Sequence, residues 1–186
     1  NTIYCYQFMS NQEKRIEILT KDELWNILKR LTTEILGKVD KPQNIILMGI
    51  PTRGVNLSEV IAKEIFKKIG YEVGIGIIDH TFYRDDQSRV GTRSINCDSI
   101  PASIEDKDVI LIDDVIYTGR TARAAMEALN FWGRPKKIML LTLIDRGHRE
   151  LPIQPDFCGR KVLTNKNQNI ELRFKSVDKV EGVFLV

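Results

Sequence analysis

Cysteine and histidine are scarce in this chain of 186 residues, which contains three cysteines and two histidines. Cys5, Cys97 and Cys158 are far apart in the sequence, odd in number and without CxxC spacing. This pattern excludes a small fold held together by disulfide bonds, and it also excludes a cysteine-rich zinc site. A reducing compartment fits it best, so we expect the protein to be cytoplasmic.

Long hydrophobic runs are also missing. The longest apolar stretch, Ile138–Ile144, is interrupted by Thr142 and is far shorter than a membrane-spanning helix requires. Residues Asn1–Ser10 show neither the basic start nor the apolar segment of a secretory signal. We therefore expect no membrane partner.

Charge of one sign is in small excess, with a net charge of +3. This excess is too small to require a nucleic-acid partner, although it is compatible with a local basic patch. Linkers, repeats and low-complexity tracts are absent, and 42% of the residues are hydrophobic. The chain is therefore expected to form a single domain over residues 1–186, with residues 1–19 as an N-terminal extension of uncertain order.

The chain alternates predicted strands and helices. Thr20 and Glu23 match a capping box that predicts the start of a first helix, and Gly37 is expected to end it. Two further amphipathic helices are expected to stop at Gly70 and Gly133. The predicted strands cover residues 44–48, 71–79, 109–112, 136–144, 157–163, 170–174 and 180–186. This alternation predicts an α/β fold, a doubly wound parallel sheet flanked by helices.

Residues 109–121 are the most informative stretch of the sequence. An apolar strand leads to Asp113 and Asp114, and Thr118 and Gly119 then open a helical pattern. A helix N-terminus after a strand is an anion site, because unpaired backbone N–H groups converge there. Paired acids beside it suit sugar hydroxyls and hydrated magnesium, so we expect a phosphorylated sugar as ligand. The alternative, an acidic strand end followed by a helix cap, needs one polar residue and no acidic pair.

Two other turns are expected at the same edge of the sheet, because the carboxyl ends of parallel strands lie together. Gly49–Gly54 brackets Thr52 and Arg53 with glycines and suits a diphosphate, although alone it is compatible with a plain strand-to-helix turn. Asp145–Ile153 places Arg146, His148 and Arg149 close together. A lone histidine is usually a surface or core residue, but here a glycine and two arginines surround it.

A long polar segment from about Phe82 to Ser99 is expected to be a mobile functional loop. It opens with Tyr83, Arg84, Asp85 and Asp86. Loops of this kind exclude water from a reacting centre. A solvated charge cluster is the alternative interpretation.

The acidic pair and the Thr-Gly turn together resemble the phosphoribosyl-pyrophosphate (PRPP) site of type I phosphoribosyltransferases. This resemblance implies the fold of that family, with a small hood region beside the main sheet. It implies catalytic roles for Asp113, Asp114, Arg53 and Arg84, the last reaching the pyrophosphate. The positions implied to bind PRPP or UMP are Thr52, Arg53, Gly54, Asp113, Asp114, Val115, Tyr117, Thr118, Gly119, Arg120 and Thr121.

Residues Asp145–Ile153, together with Tyr83–Asp86, resemble more closely the uracil phosphoribosyltransferases that also regulate pyrimidine operons by attenuation. Purine-salvage members carry an acidic residue where this chain has Tyr117, which argues against a purine acceptor. The implied reaction converts uracil and PRPP to UMP and pyrophosphate, with Mg²⁺ held mainly by PRPP and no direct protein ligands. The resemblance implies that uracil is bound mainly by backbone groups near Ile144, Asp145 and Arg146.

The second activity implied by the resemblance is binding of pyrimidine-operon leader mRNA, favoured by uridine nucleotides. Phosphate contacts require lysine and arginine. The candidate RNA-binding residues are Lys29, Arg30, Thr33, His148, Arg149 and Arg160. The family often has threonine and histidine at positions 29 and 33, and lysine and arginine at 51 and 154, where this chain has Lys29, Thr33, Pro51 and Gln154. These departures weaken the regulatory reading and leave the catalytic motif intact.

Three functional hypotheses follow. The first is an active uracil phosphoribosyltransferase, the second is an RNA-binding attenuation regulator with little or no catalytic activity, and the third is an inactive PRPP-binding domain. The resemblance also implies a homo-oligomer, either a homodimer or a hexamer.

Overall fold

A computed structural model describes residues 15–79 and 103–186 of the chain. The predictions made for Arg84 and for the Tyr83–Asp86 cluster lie outside these residues, as do Cys5 and Cys97. Within the two described ranges, no helix is both long and apolar enough to cross a membrane.

The described residues form eight strands, three α-helices and one short 3-10 helix, Pro42–Asn44. The helices are α1 (Lys21–Lys38), α2 (Arg53–Ile69) and α3 (Arg120–Leu129). The strands are β1 (Ile16–Leu19), β2 (Ile45–Gly49), β3 (Gly74–Ile77), β4 (Asp108–Ile116), β5 (Lys137–Asp145), β6 (Phe157–Lys161), β7 (Ile170–Arg173) and β8 (Gly182–Leu185).

Five strands form a parallel sheet in the order β3-β2-β4-β5-β6. Successive side chains of β4 point to opposite faces, so Ile110 and Ile112 pack with α1 and α2 while Val109 and Leu111 pack with α3. Helices therefore cover both faces, and the prediction of a doubly wound parallel sheet is confirmed. Buried strands of this kind read as continuous apolar runs.

The remaining three strands form a small antiparallel sheet in the order β1-β8-β7. Strand β1 lies within the stretch predicted to be an extension of uncertain order, and its Ile16–Leu19 pairs with β8. Trp25 of α1 donates from Nε1 to Glu181 Oε1 at 3.2 Å. Because Leu19, Leu172 and Val183 join the core cluster of α1 and α2, the small sheet is packed against the main one.

Several predicted boundaries are wrong by a few residues. Helix α1 runs through Gly37 to Lys38 and is capped by extended Val39, so Gly37 does not end it. Helix α3 ends at Leu129, and three residues of turn precede Gly133. The strand predicted over residues 71–79 is limited to Gly74–Ile77. The stop at Gly70 is confirmed, since this residue caps α2 in the left-handed conformation with φ 69°.

Helix α1 approaches the edge strand β6 closely at Gly159. A Cβ atom at this position would lie 2.3 Å from the carbonyl oxygen of Leu143 and 2.9 Å from Ile27 Cγ2. Both neighbours are held in place, one by the β5–β6 pairing and one by the core. No side chain therefore fits between α1 and the sheet here.

We expect Gly159→Ala to lower the free energy of unfolding by about 1–3 kcal/mol, because it overpacks this contact. Gly37→Ala is the matched control, since a Cβ there meets nothing within 4 Å. In a helix that change is expected to stabilise the protein by about 0.5–1 kcal/mol. Urea denaturation of both variants measures the difference, and equal stabilities would contradict the close approach.

Candidate active site

The site lies where the strand order of the main sheet reverses. After β2 the chain passes to β3 on one side, and then to β4 on the other side of β2. Gly49 at the end of β2 pairs with Ile112 of β4, and the Ile50 N–H donates to the Ile112 carbonyl at 2.9 Å. Ligands of open α/β sheets bind at such a switch point, beyond the carboxyl ends of the strands.

The acidic pair belongs to strand β4 itself, which continues two residues beyond it to Ile116. Asp113 is buried opposite Thr142 of β5, and its Oδ1 accepts from the Asp114 N–H at 3.0 Å. Asp114 Oδ1 accepts from the Val115 N–H at 3.0 Å. Burial raises the pKa of Asp114, although contacts with Asp113 and Val115 and the charge of Arg53 act in the opposite direction.

The Thr-Gly turn that follows β4 presents the N-terminus of α3. Gly119 has φ 92° and is the N-cap residue, with no side-chain cap on the helix. Thr118 Oγ1 accepts from the Arg120 N–H at 3.3 Å. A Cβ on Gly119 would contact Leu151 and Ile153, so the turn lies directly on the chain that follows β5. The geometry is that of an anion site at a helix N-terminus.

The turn after β2 brings Arg53 to the same place. Thr52 is the N-cap residue of α2, and the Pro51–Thr52 peptide bond is cis. A Cβ on Gly54 would lie 2.2 Å from the Ile112 carbonyl oxygen, so only glycine allows α2 to start this close to β4. Arg53 Nη2 forms an ion pair with Asp178 Oδ1 at 2.8 Å, and Asp178 Oδ2 accepts from the Phe174 N–H.

A cavity of about 340 Å³ opens between Arg53, Asp114 and the small sheet. Its lining residues are Arg53, Asp114, Ile170, Glu171, Leu172, Arg173 and Asp178. A larger and mostly apolar groove of about 780 Å³ lies beside Trp25 and Phe66, but none of the motif residues lines it. We therefore take the smaller cavity as the candidate site, because Arg53 and the half-buried Asp114 face the same space there.

The small sheet contributes to this cavity in a way that was not predicted from the sequence. Asp178 lies in a polar stretch after β7 that matches no motif, and its role depends on a contact with Arg53, 125 residues earlier in the chain. Strand β7 lines the cavity only because it pairs with β8. No local signal in the sequence identifies either feature.

The turn after β5 reaches the site indirectly, through Tyr117. The Arg146 guanidinium lies 4.2 Å from the centre of the Tyr117 ring, and His148 meets that ring edge-on at 5.7 Å. Arg146 is buried and donates to Thr164 Oγ1 and to the carbonyls of Asn165 and Lys166. These contacts hold the Tyr117 ring against the turn.

The three residues predicted to bind uracil lie at the carboxyl end of β5. Ile144 pairs with Val115 and Asp145 pairs with Ile116, while the Arg146 N–H donates to the Ile116 carbonyl at 3.2 Å. That backbone donor is therefore used within the fold. The assignment of these residues to uracil stays a prediction.

The six predicted RNA-binding residues fall into two groups. Lys29 and Thr33 are exposed on α1, and Arg30 on that helix donates to the carbonyls of Cys158 and Gly159 in β6. Arg160 of β6 completes this group, which we call the α1–β6 surface, and it pairs with Glu23 at 3.1 Å.

The second group is the pair of neighbours after β5, and its two members point differently. His148 is exposed, with Nε2 2.6 Å from the Thr164 carbonyl oxygen. Arg149 is directed inwards, with only 13% of its side chain exposed. Of the two, only His148 presents its side chain on the surface.

Few of the described side chains are arranged to bind a magnesium ion. Among the residues the structure describes, no group of three or more His, Cys, Asp or Glu side chains is placed to hold a metal ion. The carboxylates of Asp113 and Asp114 offer the oxygen chemistry that a hydrated Mg²⁺ accepts. A metal carried by a diphosphate ligand is therefore compatible with these residues.

Comparison with known proteins matches the model of the phosphoribosyl transferase domain to residues 16–176. The chain is 47% identical to the bifunctional protein PyrR of Microcystis aeruginosa, over 92% of this chain and 97% of that protein. It is 44% identical to the bifunctional protein PyrR of Latilactobacillus sakei, over 90% of this chain and 95% of that protein.

Among solved structures, a hypoxanthine-guanine phosphoribosyltransferase from Bacillus anthracis superposes with a TM-score of 0.68 at 17% identity. The superposition covers 92% of this chain and 98% of that one. At this identity the likeness shows a common fold and gives no information on the acceptor base.

The raised pKa of Asp114 leads to a prediction about how the free energy of unfolding depends on pH. Because burial raises its folded-state pKa, the folded protein holds that proton more tightly than the unfolded chain does, and the free energy of unfolding falls as pH rises between the two pKa values. Asp114→Asn removes the charge, so we expect a higher free energy of unfolding at neutral pH. The gain should shrink as pH falls towards about 4, near the ordinary pKa of aspartate.

Urea denaturation between pH 7 and pH 4 measures this effect, with Asp40→Asn as the control because the Asp40 side chain is 88% exposed. A variant at position 114 that is less stable than the original protein at neutral pH would contradict the sign.

Proposed function

Because the chain belongs to the phosphoribosyl transferase domain family, and within it to the bifunctional PyrR proteins, we propose that it is a uracil phosphoribosyltransferase. In this reaction uracil displaces pyrophosphate from PRPP and UMP forms. The observation that carries the proposal is the position of Asp114 and Arg53 across one cavity, with the Thr118–Gly119 turn and the N-terminus of α3 directly after the acidic strand.

Each part of PRPP has a matching group. The carboxylates of Asp113 and Asp114 accept hydrogen bonds from the ribose hydroxyls. Thr118 and the backbone N–H groups at the start of α3 bind the 5′-phosphate. Arg53, with Thr52 beside it, binds the pyrophosphate, and a planar guanidinium suits its oxygens. The protein contributes positioning and charge stabilisation, since the bond exchange occurs within the substrates.

Mg²⁺ is proposed as the partner of PRPP, where it would neutralise the diphosphate. The diphosphate needs a cation besides Arg53, because the charge of Arg53 is already paired with Asp178. Among the site residues, the carboxylates of Asp113 and Asp114 are the groups best suited to contact a hydrated metal ion.

Uracil is proposed as the acceptor on the basis of residue 117. Tyr117 presents a phenol ring where an acid would present a carboxylate, and its ring is fixed between Arg146 and His148. A purine-salvage enzyme has an acid at this position, which meets a purine ring nitrogen that uracil lacks. An acceptor without that nitrogen leaves no partner unsatisfied at Tyr117.

We expect the purified protein to release pyrophosphate from PRPP in the presence of Mg²⁺ and uracil, and not with hypoxanthine or guanine. Asp113→Asn and Asp114→Asn should each lower kcat/KM about ten- to hundredfold, the effect of losing a hydrogen bond to a charged group. Asp40→Asn is the control. Steady-state assays across the free bases measure these effects.

Turnover with a purine but not with uracil would overturn the acceptor. PRPP binding without turnover on any base would instead support an inactive PRPP-binding domain.

A second function is proposed alongside the first: binding of pyrimidine-operon leader mRNA, favoured by UMP. It is supported by the α1–β6 surface, where Arg30, next to Lys29 on α1, donates to the carbonyls of Cys158 and Gly159 beside Arg160 of β6. Such a surface supplies phosphate contacts. His148 is the exposed candidate for contact with unpaired bases.

In gel-shift titrations with the leader RNA, Lys29→Gln and Arg160→Gln should weaken binding, and each should reduce the slope of log affinity against log salt by about 1. Lys68→Gln is the matched control, because Lys68 is exposed at the far end of α2. Both variants should keep the turnover rate with uracil.

Binding that ignores RNA sequence, or that does not depend on salt, would contradict a specific regulatory role. In that case catalysis would be the chain's remaining proposed activity.

The assembly and location of the protein also remain proposals. We propose a homo-oligomer, either a homodimer or a hexamer, in the cytoplasm. Size-exclusion chromatography with light scattering measures the first of these.

A further inference from the structure

We propose that Asp145 and Arg149 are a positioning pair that aims the backbone N–H groups of the phosphate-binding turn at the 5′-phosphate. This inference rests on the proposed function and extends it to two residues outside the PRPP motif. It also gives Arg149 a role different from the RNA contact expected from the sequence.

The Arg149 guanidinium is committed to the interior. Its Nη1 donates to the carbonyls of Tyr117 at 2.8 Å and Gly147 at 3.3 Å, and Nε donates to the Ile153 carbonyl at 2.9 Å. The phosphate-binding turn begins at Tyr117 and includes Thr118 and Gly119. The Arg149 side chain thus joins its first residue to both ends of the segment Gly147–Ile153. An arginine used in this way has few donors left for the phosphates of RNA.

Asp145 neutralises and orients this guanidinium. Its Oδ1 lies 2.8 Å from Arg149 Nη2 and accepts from the Gly147 N–H at 2.9 Å. Both side chains are largely buried, with 8% and 13% exposed. Removal of one partner from a buried pair leaves an uncompensated charge, so the two residues act as a unit.

Two further hydrogen bonds hold Thr118, the next residue of the turn. The N–H groups of Glu150 and Leu151 donate to the Thr118 carbonyl at 3.0 and 3.1 Å. Arg120 is also joined to Glu150, by an ion pair of 2.8 Å. The carbonyls of Tyr117 and Thr118 are therefore both directed towards the segment after β5.

The direction of these carbonyls decides where the neighbouring N–H groups point. A peptide unit is planar, and in a trans peptide the C=O and the following N–H point in opposite directions. Among the described residues the cis peptide bond is Pro51–Thr52. The peptide bonds after Tyr117 and Thr118 are therefore trans. The N–H groups of Thr118 and Gly119 consequently face away from Arg149, on the side where α3 begins.

The pair therefore acts on phosphate affinity through the turn, without touching the ligand. Preorganised donors bind an anion more tightly than donors that must be ordered on binding. Loss of the pair should weaken ligands that carry the 5′-phosphate and have little effect on the acceptor base. A residue of purely structural importance would affect both substrates alike.

The test compares Arg149→Lys, Arg149→Gln and Asp145→Asn with the original protein in full steady-state kinetics. We expect the KM for PRPP to rise about tenfold, which equals about 1.4 kcal/mol, while the KM for uracil stays within about twofold. UMP affinity measured by calorimetry should fall by a similar factor. Arg149→Lys should not rescue, because an ammonium group cannot bridge three carbonyls and a carboxylate.

Arg134→Gln is the matched control, since this arginine is exposed at the opposite end of the sheet, before β5 begins. It should leave both KM values unchanged. Should Arg149→Gln fail to fold, Asp145→Asn gives the same comparison with a smaller change of shape. The double variant should be no worse than the worse single variant, as expected of a coupled pair.

An RNA contact predicts a different result. If Arg149→Gln weakened leader-RNA binding in the absence of UMP and left the KM for PRPP unchanged, the positioning role would be overturned. An original protein that binds UMP but shows no turnover would contradict the proposed reaction and leave the UMP comparison valid. One that binds neither PRPP nor UMP would overturn both proposals.

Discussion

Strand β4 is hydrogen-bonded to β2 on one side and to β5 on the other, and the rest of the site depends on this double pairing. The parallel register places the ends of all three strands at one edge of the sheet. Gly54 then allows α2 to start against the Ile112 carbonyl, and Arg53 is carried towards Asp114. Arg53 and Asp114 are far apart in the chain, and they line one cavity because the sheet aligns the strands that position them.

The same pairing explains why Asp114 opposes stability. Continuation of β4 to Ile116 buries Asp113 and half-buries Asp114 among strands instead of leaving them in a solvated loop. Burial raises the pKa of Asp114, so its ionised form is held at a cost to folding. Core positions such as Leu111 and Leu141 offset that cost. Conflict between local stability and charge is expected where a protein binds its ligand.

The fold was predictable from the sequence where the signals are local. The apolar run of β4, the capping box at Thr20 and the Thr118–Gly119 turn each reflect neighbouring residues, and the structure places them as expected. The predicted end of α1 at Gly37 was wrong, because a glycine near a helix end is compatible with helical as well as left-handed backbone. The small sheet was not predictable in detail, since β1 and β8 pair across almost the whole chain.

The site divides in the same way between local and long-range signals. Asp113, Asp114 and Arg53 could be predicted as site residues because their motifs are continuous in sequence. Asp178 and the inward direction of Arg149 depend on contacts of 125 and 32 residues in separation, which no local pattern reveals. The RNA contact implied for Arg149 by the resemblance stays a prediction, and the sequence gives no sign of the partners that direct this side chain inwards.

The turn after β5 bears on both proposed activities, and this affects how substitutions there are interpreted. His148 is exposed at φ 57°, while the next residue, Arg149, is directed towards the Tyr117 carbonyl in the proposed phosphate-binding turn. The Tyr117 ring touches His148 on one side and its backbone carbonyl accepts from Arg149 on the other. A substitution at either position can therefore alter the proposed phosphate-binding turn and the proposed RNA-binding surface together. Loss of both activities in one variant would not show that the residue contacts both ligands, and only separate affinities for UMP and RNA resolve the two effects.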